Sequence, residues 1–131
     1  MTNPTILVIE DNPYTRKVVV ASLAAEGYHV LEAETGQMGV TLMGEERPDL
    51  VLQDLMLPDI DGLELVKVLR GLPNCTNVPI LAFSSFLGKL EEARLGSGNF
   101  QRYIAKPIEP SELVRIISEE LGKRPHSLAA H

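Results

Sequence analysis

Short apolar runs alternate with longer amphipathic stretches along this chain. The runs are Thr5–Glu10, His29–Ala33, Leu50–Asp54, Pro79–Ser84 and Tyr103–Ala105. β-Branched residues are prominent in several of them, as expected of strands. The first, third and fourth are nearly continuous in apolar character. Strands buried on both faces have that character, which predicts a parallel sheet covered by helices.

The stretches between the runs have helical length and carry start and stop signals. Asn12 followed by Pro13 opens the first, a capping side chain ahead of a proline at the first helical position. Val18, Val19, Leu23 and Ala24 form its expected buried stripe, and Gly27 its end. Thr35 is the expected cap of a second helix bearing Val40 and Met43, in which Gly36, Gly39 and Gly44 lower the helical propensity. A third helix is predicted from Ile60 to Arg70, with Leu63, Leu65, Val66 and Leu69 turned inward and Gly71 and Pro73 as its stop. Asp59 and Asp61 read as the turn and cap of this helix. A short fourth helix covers Leu87 to Leu95, closed by Gly96 and Gly98. The fifth starts at Glu109-Pro110, carries Leu113, Val114, Ile116, Ile117 and Leu121, and ends at Gly122. Strand then helix, five times over, predicts an α/β, doubly wound fold: an open five-stranded parallel sheet with helices on both faces.

Composition narrows the function classes. Hydrophobic residues are 44% and charged residues 23% of 131, the values of one globular domain. Residues 1–122 are expected to form it. Lys123 to His131 lack periodicity and read as a flexible tail or linker stub, with His126 and His131 solvated there. The formal net charge is −6, which argues against direct nucleic-acid binding through phosphates and against lying on an anionic membrane. Cys75 is the single cysteine, so no internal disulfide and no cysteine-rich metal site is possible; it reads as inert, and His29 as a surface residue. With a single cysteine the cytosol is the expected compartment, and the first apolar run is too short for a signal-peptide core or a membrane span.

In doubly wound sheets, ligands bind beyond the carboxyl ends of the strands. Those ends carry Glu10 and Asp11 on the first strand and Asp54 on the third. Ser84 and Ser85 close the fourth, and Lys106 and Pro107 follow the fifth. Converging carboxylates repel, and burial raises their pKa values; a divalent cation resolves the conflict. Oxygen ligands alone, with no Cys or His at any strand end, select a hard ion, and a cage completed by water and phosphate favours Mg²⁺ over Ca²⁺. A lysine and a hydroxyl opposite such an ion suit a phosphoryl group. A carboxylate beside the ion can act as nucleophile and form an acyl phosphate.

The set of residues then resembles the receiver domain of two-component response regulators. The resemblance is carried by Glu10-Asp11 and by Asp54 with Pro58 and Gly62 in Asp-Leu-Met-Leu-Pro-Asp-Ile-Asp-Gly. Ser84 at the end of Pro-Ile-Leu-Ala-Phe-Ser and Tyr103-Ile-Ala-Lys106-Pro107 complete it, in register from about Thr5 to Gly122. It implies the flavodoxin-like strand order 2-1-3-4-5. It implies that Asp54 accepts a phosphoryl group from the phosphohistidine of a sensor histidine kinase or histidine phosphotransfer protein. Glu10, Asp11 and Asp54 would hold Mg²⁺ by side chain and Met56 by its backbone carbonyl. Ser84 would bond a phosphoryl oxygen, Lys106 would pair with Asp54 or the phosphate, and the Lys106–Pro107 bond would be cis. Tyr103 resembles the switch aromatic, and the face of the last two helices would signal to a downstream output protein or domain. Such a chain is a signalling module, not a metabolic enzyme, with only limited self-phosphorylation and self-dephosphorylation.

Met56 and Phe86 stand two residues past Asp54 and Ser84, where the family tunes hydrolysis. Neither orients an attacking water, which predicts slow loss of the phosphoryl group. The stretch Gly98 to Tyr103 departs from the family pattern and puts the fourth helix and its loops in question. The competing readings are a pseudo-receiver that only docks, a flavin-binding module and an Asp-nucleophile phosphatase. The last requires a second acid where Met56 stands; the flavin module requires a hydroxyl-rich loop where Asp11 stands.

Overall fold

The computed structural model describes residues 3–96 and 98–123. Ten elements follow one another: β1 (Thr5–Ile9), α1 (Pro13–Ala25), β2 (His29–Ala33), α2 (Gly36–Glu46), β3 (Leu50–Asp54), α3 (Gly62–Arg70), β4 (Ile80–Ser84), α4 (Leu87–Leu95), β5 (Arg102–Ala105) and α5 (Pro110–Gly122). The sheet has the order β2-β1-β3-β4-β5, and every neighbouring pair is parallel. This is the doubly wound order expected from the sequence.

Two apolar clusters sandwich the sheet. Ile6, Val8, Leu52, Phe83 and Ile104 pack with Val19 and Leu23 of α1 and with Leu113, Ile116 and Ile117 of α5. On the other face Leu7, Ile9, Val51 and Ala82 pack with Met43 of α2, Leu65, Val66 and Leu69 of α3, and Leu90 and Ala93 of α4. β3 and β4 are buried along their whole length and β1 nearly so, which is why their sequences read as continuous apolar runs. The edge strands β2 and β5 are only partly buried.

Several boundaries differ from expectation, each for a local reason. β1 stops at Ile9, and Glu10 lies past the paired residues, although its N–H still reaches the Ala33 carbonyl at 2.9 Å. β4 starts at Ile80 because Pro79 has no N–H to donate; its carbonyl still accepts from the Val51 N–H at 2.9 Å. β5 gains Arg102. In α1 only Val19 and Leu23 are buried; Val18 and Ala24 are exposed, so the buried stripe is narrower than predicted. α3 starts at Gly62, and Asp61 caps it by accepting from the Leu63 N–H at 2.8 Å. Asp59 does not serve α3. Its carboxylate accepts from the Gly36 and Gln37 N–H groups at 2.9 and 3.0 Å and satisfies the first turn of α2.

The glycines of α2 have a packing reason that outweighs their propensity cost. A Cβ on Gly39 would lie 2.5 Å from Ile9 Cδ1, and one on Gly36 2.3 Å from Ile60 Cγ2. They let α2 sit close against β1 and the segment after β3. Cys75 is buried and His29 exposed. The expected tail, with His126 and His131, lies outside the described residues beyond Lys123. Among the described residues, no helix is long and apolar enough to cross a membrane.

Candidate functional site

The carboxyl ends of β1, β3 and β5 bring distant residues together. One carboxylate oxygen from each of Glu10, Asp11 and Asp54 lies within 4.8 Å of the others. Glu10 and Asp54 are buried, while Asp11 faces solvent. Lys106 reaches in from the end of β5, with Nζ 2.6 Å from Glu10 Oε1 and 3.4 Å from Asp54 Oδ2. Its ammonium also lies 4.8 Å from the centre of the Phe83 ring, a cation–π contact. The Lys106–Pro107 peptide bond is cis.

Local folding aims these groups. Asn12 caps α1, accepting from the Tyr14 and Thr15 N–H groups at 2.9 and 3.0 Å, and its own N–H donates to Glu10 Oε2 at 3.1 Å. Both oxygens of Glu10 are therefore engaged, one by Lys106 and one by the backbone. Asp54 Oδ1 accepts from the Met56 N–H at 3.0 Å, which fixes the carboxylate at the strand end.

The electrostatics follow from this crowding. Burial, above all, and Glu10 nearby raise the Asp54 carboxyl from an ordinary 3.8 to about 7, against the downward pull of the Met56 N–H and Lys106. A single lysine does not balance three acids. The donors are oxygens without exception, two of them sheltered from water, and that chemistry fits a small hard cation.

Ser84 is fully buried at the end of β4, and its Oγ accepts from the Phe86 N–H at 3.1 Å. Its carbonyl takes the Lys106 N–H at 2.9 Å, tying β4 to the end of β5. Ser85, Met56 and Phe86 are exposed around the site. Tyr103 is half-buried on β5. Its hydroxyl is 3.5 Å from the Phe100 carbonyl, at the outer limit of a hydrogen bond, and its ring meets Phe100 edge-on at 5.9 Å.

Sequence reasoning missed two contributors, Arg16 and Gln53, and assigned a third, Asp59, to the wrong helix. Arg16, one turn into α1, donates to the Glu10 carbonyl at 2.8 Å and pairs with Glu32 and Glu34 at 3.2 and 3.4 Å. Asp59 stitches the segment after β3 to α2. Gln53, just before Asp54, is fully buried. Gln53 did leave a signal, as a lone amide in the apolar run from Leu50 to Asp54.

The fold and this clustering place the chain in a known class. It belongs to the response regulator receiver domains, a family that matches residues 6–118; these are signalling modules of two-component systems. The polar-differentiation response regulator DivK of Brucella anthropi is 32% identical over 118 residues, which span 90% of this chain and 96% of DivK. The receiver domain of a Pseudomonas aeruginosa sensor histidine kinase superposes with a TM-score of 0.84 at 31% identity, covering 93% of this chain and 100% of that one. That structure holds a magnesium ion in its active-site cleft. A response regulator receiver domain of Methylobacillus flagellatus gives 0.79 at 29% identity, over 90% of this chain and 98% of that one.

Proposed function

We propose that this receiver domain is a phosphoacceptor switch in which Asp54 takes a phosphoryl group from a phosphohistidine. The observation that carries the reading is the meeting of three carboxylates and one ammonium, from three strand ends, around a buried acid. Glu10, Asp11 and Asp54, with the Met56 carbonyl, are the residues that would hold Mg²⁺. When bound it would offset the acids and the charge of an incoming phosphoryl group. An oxygen of Asp54 attacks phosphorus, the P–N bond to the donor imidazole breaks, and the leaving nitrogen takes a proton. The product is an acyl phosphate on Asp54, with Lys106 placed to pair with its oxygens and Ser84 to donate a hydrogen bond to one.

The donor is a sensor histidine kinase or a histidine phosphotransfer protein. A groove of about 410 Å³ runs beside Lys106 between α1 and the segment leading into α5, lined by Tyr14, Val18, Pro107, Ile108 and Leu113 among others. It is apolar, open and adjacent to the acceptor, which suits the helix that would carry the histidine. Phosphorylation draws Ser84 and Tyr103 toward the site and changes how the face of α4, β5 and α5 binds an output partner.

The test is incubation with acetyl phosphate and Mg²⁺ followed by intact-mass measurement. One phosphoryl adduct is expected on the wild type and none on Asp54→Asn; no adduct on the wild type overturns the reading. The adduct is expected to decay slowly, because exposed Met56 and Phe86 hold no water for attack, and several-fold faster in Met56→Asn.

A further inference from the structure

β3 presents Asp54 and is buried at every position, yet one of its residues is an amide. Gln53 is fully buried, with Ile9 beside it on β1 and Ala82 on β4. Both neighbours belong to the apolar cluster under α2, α3 and α4. Its Nε2 donates to the Gly62 carbonyl at 2.9 Å and approaches the Asp54 carbonyl at 3.4 Å. Its Oε1 has no hydrogen-bond partner among the described residues. A buried acceptor left unpaired destabilises the fold, and a leucine of similar volume would carry no such cost. Stability alone does not explain a glutamine here.

The amide lies at the closure of the segment that leaves the acceptor. Met56 and Asp61 form a bridge across that segment, and the Gly62 N–H reaches the Leu55 carbonyl at 3.2 Å. Gly62 rests so close to Leu55 that an added Cβ would lie 2.5 Å from Leu55 Cα. The same segment supplies the Met56 N–H that orients the Asp54 carboxylate. Gln53 adds a tie from the core side, joining the strand end to the first residue of α3.

We propose that Gln53 is a positioning residue for Asp54: its amide holds the turn after β3 closed, so that Asp54 and the Met56 backbone are set for Mg²⁺ and phosphoryl transfer, at a cost in stability. The proposal rests on the phosphoacceptor reading. A role confined to packing and a role in positioning move stability and site function differently, so Gln53→Leu and Gln53→Met in the full chain separate them.

Both variants are expected to stay folded with a Tm within about 4 °C of wild type without metal, because losing the unpaired Oε1 offsets losing the bond to the Gly62 carbonyl. They are nonetheless expected to bind Mg²⁺ alone roughly tenfold more weakly by calorimetry and to be phosphorylated by acetyl phosphate several-fold more slowly. Amide exchange at Met56 and Gly62 in the metal-free protein is expected to quicken. Mg²⁺ affinities within twofold of wild type in both variants overturn the proposal. A wild type that neither binds Mg²⁺ nor accepts phosphoryl brings down the phosphoacceptor reading and this proposal together. A competent wild type matched by both variants brings down Gln53 alone.

Discussion

The two halves of the site rim are built to different standards. On the β1–β3 side, side chains satisfy the helix starts: Asn12 caps α1, Asp61 caps α3, and Asp59 with Thr35 serves α2. Glu10 and Asp54 are pinned by backbone N–H groups, and Gly62 sits against Leu55 with no room between them. On the β4–β5 side, Phe86 and Glu109 precede α4 and α5 with no side-chain cap bond. Phe86, Leu87 and Leu95 lie exposed, and Tyr103 holds only a marginal hydrogen bond. The first half is pre-organised to hold charge. The second has few restraints to lose, which is where a structural response to new charge at Asp54 costs least.

The contrast is broken most forcefully at Gly62. In Gly62→Ala the new methyl meets backbone, which cannot rotate away, and the turn after β3 has to open. A loss of about 3 kcal/mol is expected by urea denaturation. Mg²⁺ binding is expected to weaken with it. A near-neutral result would mean that this half is as pliant as the other.

Next in size is the charge on Asp54. Its folded pKa, about 7, lies above the unfolded 3.8, so ionisation opposes folding. The contribution of Asp54 to stability is fully present below about pH 4 and lost as pH rises through 7. Without metal, Asp54→Asn is therefore expected to be more stable than wild type at pH 8, with the gap closing toward pH 4. Protons and Mg²⁺ compete for the same carboxylate, so Mg²⁺ affinity of the wild type is expected to rise between pH 6 and 8. Thermal melts across that range with and without Mg²⁺ check both statements. A gap that does not change with pH would show that the Asp54 charge is not held under strain.

What could be read from the sequence divides along the same line. The strands were legible because β1, β3 and β4 are covered on both faces and leave unbroken apolar runs. The site was legible because its residues stand at strand ends, where topology alone makes them converge. Partners chosen by three-dimensional proximity were not. Asp59 stands next to α3 in sequence, yet it caps α2, because α2 approaches across two small glycines. Arg16 meets Glu32 and Glu34 only because β2 lies beside β1. Gln53 is a lone polar residue in an apolar run, and only its three-dimensional surroundings leave its oxygen without a partner among the described residues. The narrow buried stripe of α1 escaped periodicity because Val18 turns to the open groove.

The smallest effect tests the loose half directly. Gly88 lies in the first turn of α4, and an added Cβ would meet nothing within 4 Å. Its backbone has no positive φ to demand glycine. Gly88→Ala therefore removes conformational freedom from the unfolded chain without a steric penalty, and a gain of about 0.5 kcal/mol is expected. The same substitution that damages one half of the rim should strengthen the other. Mg²⁺ affinity is expected to stay unchanged, because residue 88 touches none of the acids. Should it fall in this variant while stability rises, then the order of α4 reaches Asp54 through Ser84 and the Phe86 N–H, and the two halves move as one body.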